Sequence, residues 1–170
     1  MKKLVVYFSR VGENSVDGQI EVVTKGYTEI VAEKIASKTG ADLFKLVPEV
    51  PYPENYEECV SRARHESHEN AKVPFLNKMD SIDDYDTVFV GFPNWYRSYP
   101  RIVATFLASY SFIGKKVIPF CTNEEGAFGI GELELKSAVK GALIKPGFAC
   151  KGYDAPSCDL KLDEWLKKVL

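Results

Sequence analysis

The sequence predicts an α/β protein built on a doubly wound, five-stranded parallel sheet of strand order 2-1-3-4-5. Three observations lead there. Short apolar runs alternate with longer stretches of helical periodicity along all 170 residues, the pattern of right-handed βαβ units. The runs Leu4-Val-Val-Tyr-Phe8 and Asp86-Thr-Val-Phe-Val-Gly-Phe92 are near-continuously apolar, as strands buried on both faces are. The stretches of unusual composition follow the first, third and fourth runs, at the edge where such a sheet receives a ligand. No linker, repeat or low-complexity segment interrupts the chain, so residues 1–170 are expected to form one domain.

Strand 1 ends at Ser9, where the turn Ser9-Arg-Val-Gly-Glu-Asn14 begins. Residues 14–24 then read as a hairpin-like insertion, with Asp17-Gly18 as its turn. Helix 1 is expected over 26–39, with Val31, Ile35 and Ala36 inward and Gly40 ending it. Strand 2 reads as 42–47 and stops before Pro48, Pro51 and Pro53. Helix 2, over 55–69, is the most polar helix, with Tyr56, Cys59, Val60 and Ala63 inward. The loop 70–84 is long for such a domain. Strand 3 covers 86–92. Pro100 suits the first turn of helix 3, which turns Val103, Phe106, Leu107 and Tyr110 to the core. Strand 4 covers 115–121, helix 4 covers 132–139, and a short strand 5 lies within 143–150. A final amphipathic helix carries Leu160, Leu162, Trp165, Leu166 and Val169.

Composition excludes several functions. The net charge of −2 gives no bulk attraction for nucleic acid or anionic membrane. The four cysteines, Cys59, Cys121, Cys150 and Cys158, form no Cys-x-x-Cys pair, which argues against a zinc site or redox dithiol and for reduced thiols. No apolar stretch approaches the roughly 18 residues of a membrane span. The run before Ser9 is too short for a signal peptide, so the expected location is the cytoplasm.

The three loops carry the candidate chemistry. Ser9, Gly12 and Asn14, with Thr28 at the start of helix 1, offer hydroxyl and amide donors beside a helix N-terminus. They can hold a phosphate without a lysine, or they form an ordinary turn with Thr28 as a cap. Neither Gly-Lys-Ser/Thr nor G-x-G-x-x-G occurs, so a Walker loop and a dinucleotide fingerprint are both excluded. After strand 3, Trp95, Tyr96 and Tyr99 provide an apolar wall for a planar ligand, or an oligomer interface. Asn94 offers hydrogen bonds at a ring edge, and Arg97 a fixed charge. The third loop, 122–129, supplies polar groups that suit either a ring edge or any turn. His65 and His68 lie three apart on helix 2 without a further ligand, and read as an exposed face; no metal site is expected. Cys121 reads as a small buried residue ending strand 4. A phosphoacceptor receiver domain is excluded, because Ser9 and Pro93 stand where it needs acids.

The order Tyr7-Phe-Ser-Arg-Val-Gly12, Thr28-Glu-x-Val-Ala-x-Lys-Ile-Ala36, Gly91-Phe-Pro-Asn-Trp95 and Ile118-Pro-Phe-Cys-Thr122 resembles flavodoxin-like FMN proteins. It is most similar to the bacterial group with a segment inserted before helix 1, and the resemblance spans nearly the whole chain. It implies that Ser9, Arg10, Val11, Gly12 and Asn14, with Thr28 nearby, hold the FMN phosphate. It sets the ring against Pro93, Asn94, Trp95, Tyr96 and Arg97, with Thr122, Asn123 and Glu124 on the other side. The chain departs from its relatives at Val11, where they usually have threonine, and at Tyr96 and Arg97, where they often have tryptophan and glycine. Asn123, Glu125 and Phe128 also differ. The resemblance implies an FMN-dependent oxidoreductase that passes electrons from NAD(P)H to a small acceptor such as a quinone, with a homodimer as one arrangement. Two alternatives stand beside it: a one-electron carrier serving a protein acceptor, and a binding module that has lost its flavin.

Overall fold

Strand β1 (Lys2–Tyr7) is an interior strand of a parallel sheet, in a computed structural model that describes residues 1–170. It pairs on one side with β4 (Asp42–Lys45) and on the other with β5 (Tyr85–Pro93), which in turn pairs with β6 (Lys116–Asn123). The fifth position is split: β7 (Leu143–Ile144) pairs with the start of β6 and β8 (Phe148–Lys151) with its end. The expected order therefore holds, with strand 5 in two pieces. Lys145 still donates to the Val117 carbonyl, but Pro146 has no N–H to offer and breaks the ladder there.

The continuous apolar strands are explained by cover on both faces. On one face α1 (Tyr27–Thr39) and α5 (Asp159–Val169) pack with Val5, Tyr7, Phe89, Ile118 and Phe120. On the other, α3 (Arg101–Ser109) and α4 (Gly131–Ala138) pack with Leu4, Val6, Phe8, Val88 and Val90. Leu160, expected inward, is 81% exposed. The buried stripe of α5 is Leu162, Trp165, Leu166 and Val169; two residues before Leu162, a side chain falls on the opposite side of the helix. The loop 70–84 is anchored beside β4, where Glu49 and Leu76 exchange backbone hydrogen bonds with Pro74 and Val47 and Phe75 is buried.

The insertion is a two-stranded antiparallel hairpin, β2 (Gly12–Val16) and β3 (Gln19–Val23). Its two-residue turn has Asp17 and Gly18 both at positive φ (51° and 78°), the geometry that suits the twist of a tight hairpin. Helix α2 (Tyr56–His68) buries Cys59, Ala63 and Glu66, but Val60 is 36% exposed and Tyr56 only half-buried. These two were expected in the core. They instead border a cavity, because α2 lies across the sheet's carboxyl edge.

Candidate functional site

The loops after β1, β5 and β6 meet at that edge. In the first, the Ser9 hydroxyl oxygen accepts from the Glu29 backbone N–H at 3.1 Å and so caps α1 from outside the helix. Gly26, the residue before α1, makes this approach feasible: a Cβ there would lie 2.0 Å from the Ser9 hydroxyl. The N–H groups of Tyr27 and Thr28 have no intrahelical partner and give this end of the cavity a partial positive charge. Ser9 keeps its hydroxyl hydrogen for a ligand. The Thr28 hydroxyl is already paired, 2.7 Å from that of Thr122. The Arg10 guanidinium is also engaged: it donates to the carbonyls of Glu13, Pro53, Glu54 and Asn55 and ties the first loop to the start of α2. The Glu13 carboxylate accepts from the Asn55 side chain and the Tyr56 N–H, adding a second tie.

The second loop is a miniature hairpin. Trp95 and Ser98 exchange backbone hydrogen bonds at 2.8 and 3.1 Å, with Tyr96 and Arg97 between them at φ 51° and 66°. Both are non-glycine residues in the left-handed region, which stores strain. The turn is held by the Ile130 N–H, which donates to the Arg97 carbonyl at 2.7 Å. Gly129 sits so close that a Cβ would lie 2.3 Å from that oxygen. The Trp95 ring meets Phe8 and Tyr52 edge-on, with centroids 5.4 and 5.0 Å away. Tyr96 reaches across the mouth and donates its hydroxyl to the Val60 carbonyl of α2 at 3.2 Å.

In the third loop, the Asn123 side chain accepts from Gly126 and Ala127 N–H groups. Asn123 and Asn94 both donate to the Ala127 carbonyl, which joins the second and third loops. Glu124 accepts from the Gly18 N–H and so ties the hairpin tip to the third loop. Cys121 lies buried beneath, and burial pushes its thiol up to about 12, so it is an inert core residue. Phe128 packs against Phe92 and leaves the cavity clear.

These loops enclose a cavity of about 350 Å³. Ser9, Arg10, Asn14 and Thr28 border it from the first loop and helix, Pro93, Asn94, Trp95 and Tyr96 from the second loop, and Thr122, Asn123 and Glu124 from the third. Three residues singled out from the sequence lie outside it. Val11 is 44% exposed, Gly12 packs against Glu54, and the exposed Arg97 side chain is not part of the wall. Sequence reasoning missed Ser15, Tyr27 and Gly152, and above all a face of α2 formed by Tyr56, Cys59, Val60 and Ala63. Their helical spacing was visible, but periodicity shows only that a face is apolar, not what covers it. His65 and His68 are exposed at the far end of α2.

An open parallel sheet with anion donors, an aromatic wall and a cavity at its switch point defines a doubly wound α/β protein of the phosphate- and cofactor-binding class. Within that class the chain belongs to the flavodoxin family, whose profile matches residues 2–169. Among solved structures it is similar to a provisionally assigned flavoprotein from Bacteroides uniformis, with 26% identity, a TM-score of 0.75 and coverage of 98% of this chain and 97% of that one. One from Bacteroides eggerthii shares 28% identity, with a TM-score of 0.71 and coverage of 94% and 96%. A Lactobacillus acidophilus flavoprotein solved in complex with FMN shares the fold at 18% identity, with a TM-score of 0.65 and coverage of 96% and 97%. No curated protein sequence matches the chain.

Proposed function

We propose that the protein is an FMN-binding oxidoreductase that takes electrons from NAD(P)H and passes them to a small acceptor such as a quinone. One observation carries the reading: the α1 N-terminus and Ser9 hydroxyl at one end of the cavity, and the Trp95–Tyr96 wall at the other, match a ligand with an anionic end and a planar ring. Ser9, Asn14 and the Tyr27 and Thr28 N–H groups would hold the phosphate, without Val11 and Gly12, which lie outside the cavity. Pro93, Asn94, Trp95 and Tyr96 would meet the ring, and Thr122, Asn123 and Glu124 its polar edge. Bound there, FMN supplies reversible one- or two-electron transfer; the protein positions it and excludes water from one side. Tyr96, 45% exposed and tied to the Val60 carbonyl, would stand between the ring and an acceptor arriving from solvent.

A second reading rests on charge. The four stretches that meet at the cavity, 9–24, 53–61, 93–99 and 122–130, hold eight acidic residues and two arginines, Arg10 and Arg97. The rest of the chain carries 16 acidic and 20 basic residues, so the small net charge conceals an asymmetry. An acidic mouth opposes a phosphate-rich nucleotide and favours a basic protein partner, which suits an electron carrier. Anaerobic mixing of FMN-loaded protein with NADH or NADPH separates the two: prompt bleaching of the flavin absorbance supports the oxidoreductase. Reduction only by a protein reductase supports the carrier. Purified protein that takes up no FMN at micromolar concentration refutes both.

A further inference from the structure

Glu66 is the one buried acidic residue of the chain, 8% exposed, and nothing in the reading above uses it. Its carboxylate accepts from the Tyr52 hydroxyl at 2.5 Å and from Arg62 Nε at 2.8 Å. Arg62 also lies over the Tyr52 ring, 4.1 Å from its centroid, and donates to the carbonyls of Val50 and Pro51. The Tyr52 ring then meets Trp95 edge-on at 5.0 Å. An unbroken chain of contacts thus runs from a half-buried ion pair on α2, through a phenol on the 48–55 segment, to the aromatic wall of the cavity. A largely desolvated ion pair contributes little net stability, because desolvation cancels most of its attraction. It does fix geometry, since the buried Glu66 carboxylate left alone would be a costly unpaired charge. Burial, and then the bond to Glu66, keep the Tyr52 phenol protonated well above its ordinary range, so the donor is permanent.

We infer that Glu66 and Tyr52 are positioning residues of the cavity, acting through Trp95 to set the wall against which the ring of the ligand rests. Tyr52 has three constraints: the carboxylate at its hydroxyl, the guanidinium on its face and the indole at its edge. Removing the hydroxyl leaves the packing volume in place but releases the ring tip from the carboxylate and lets the ring shift, so the Trp95 ring loses its fixed neighbour on one side. Phe8, 5.4 Å away on the other side, remains. The inference rests on the flavin reading for the identity of the ligand, but the coupling from Tyr52 to Trp95 is a property of the chain alone.

The test uses full-length protein labelled with 5-fluorotryptophan. The chain has two tryptophans, Trp95 and Trp165. Trp165 lies on the opposite face of the sheet against Phe89 and Phe148, so its ¹⁹F resonance reports the global fold as an internal reference. Trp165→Phe assigns the pair. In Tyr52→Phe the Trp95 resonance is expected to shift or broaden with Trp165 unmoved, and FMN affinity to fall on the order of fivefold, the equivalent of about one lost hydrogen bond. Glu66→Gln, which keeps an acceptor for Tyr52, should give a smaller change in both readouts, and it serves as the test should Tyr52→Phe fail to fold. A Trp95 resonance unmoved in the folded variants overturns the inference, as does a moved resonance with FMN affinity unchanged. Wild-type protein that takes up no FMN refutes the functional reading instead, and the Trp95 resonance alone then decides whether Tyr52 and Glu66 set the wall.

Discussion

The Thr28 hydroxyl lies 2.7 Å from the Thr122 hydroxyl, joining the first turn of α1 to the end of β6 across 94 residues of sequence. Both side chains are almost fully buried, at 2% and 3% exposed. One hydroxyl donates and the other accepts, so each satisfies the other. Thr122→Val should therefore destabilise the protein by about 1–3 kcal/mol in urea unfolding, because it leaves the Thr28 hydroxyl unpaired. The double variant with Thr28→Val should recover much of that loss. Additive losses would show that the two hydroxyls act independently.

Arg10 is a structural clamp more than an anion ligand. Its guanidinium spans the carbonyls of Glu13, Pro53, Glu54 and Asn55. Arg10→Ala should cost about 1.5–3 kcal/mol, the range for hydrogen bonds from a charged donor. It should also expose the hairpin to limited proteolysis within 12–24. Lysine at this position presents a single ammonium and should rescue little.

Arg97 occupies φ 66° without glycine's freedom. Arg97→Gly removes a left-handed strain of about 1–2 kcal/mol and adds about 0.5–1 kcal/mol of unfolded-chain entropy. Thermal unfolding should show a net gain of roughly 0.5–1 kcal/mol. Because the side chain stands outside the cavity, FMN affinity should stay the same.

The acidic mouth gives a salt test. The kcat/KM for NADH should rise several-fold as ionic strength increases from about 10 to 200 mM, because screening weakens the repulsion. Glu124→Gln combined with Glu21→Gln should reproduce part of that gain at low salt. A basic protein partner should show the opposite trend in its association rate.

Alkaline pH should unfold the protein early. Burial raises the Cys121 thiol from about 9 to about 12, and the Tyr99 phenol, also mainly by burial, from about 10 to about 12. Below pH 9 the Cys121 contribution is complete, since the thiol is neutral folded or unfolded. Between about 9 and 12 the unfolded chain ionises while the folded one does not, and each such group removes about 1.4 kcal/mol per pH unit. The midpoint of thermal unfolding should drop steeply above pH 9, and Cys121→Ala should flatten the first part of the fall.

Much of this was legible in the sequence because it is local. The apolar run from Leu4 to Phe8, the Asp17-Gly18 turn, Gly40 closing α1 and Pro100 opening α3 each depend on neighbours along the chain. Their physics is steric and periodic, and it sets the alternation of elements and with it the strand order. The three ligand loops could be located for the same reason, since each follows a recognisable strand. What those loops do was decided elsewhere. Ser9, Arg10 and Thr28 carried donors that suited a phosphate. In the fold the Arg10 guanidinium and the Thr28 hydroxyl are taken up by Pro53, Glu54, Asn55 and Thr122, far away in sequence, and the cavity is left with helix N–H groups, the Ser9 hydrogen and one amide hydrogen of Asn14. The α2 wall and the Glu66–Tyr52–Trp95 chain of contacts were invisible for a related reason: hydrogen-bond partners and cavity walls are set by which elements pack together, and composition does not encode that juxtaposition. The sequence by itself determined the doubly wound sheet and the edge at which it binds. Only the tertiary structure decided which of its polar groups remain free to bind anything, because a donor already satisfied within the fold has nothing left to offer a ligand.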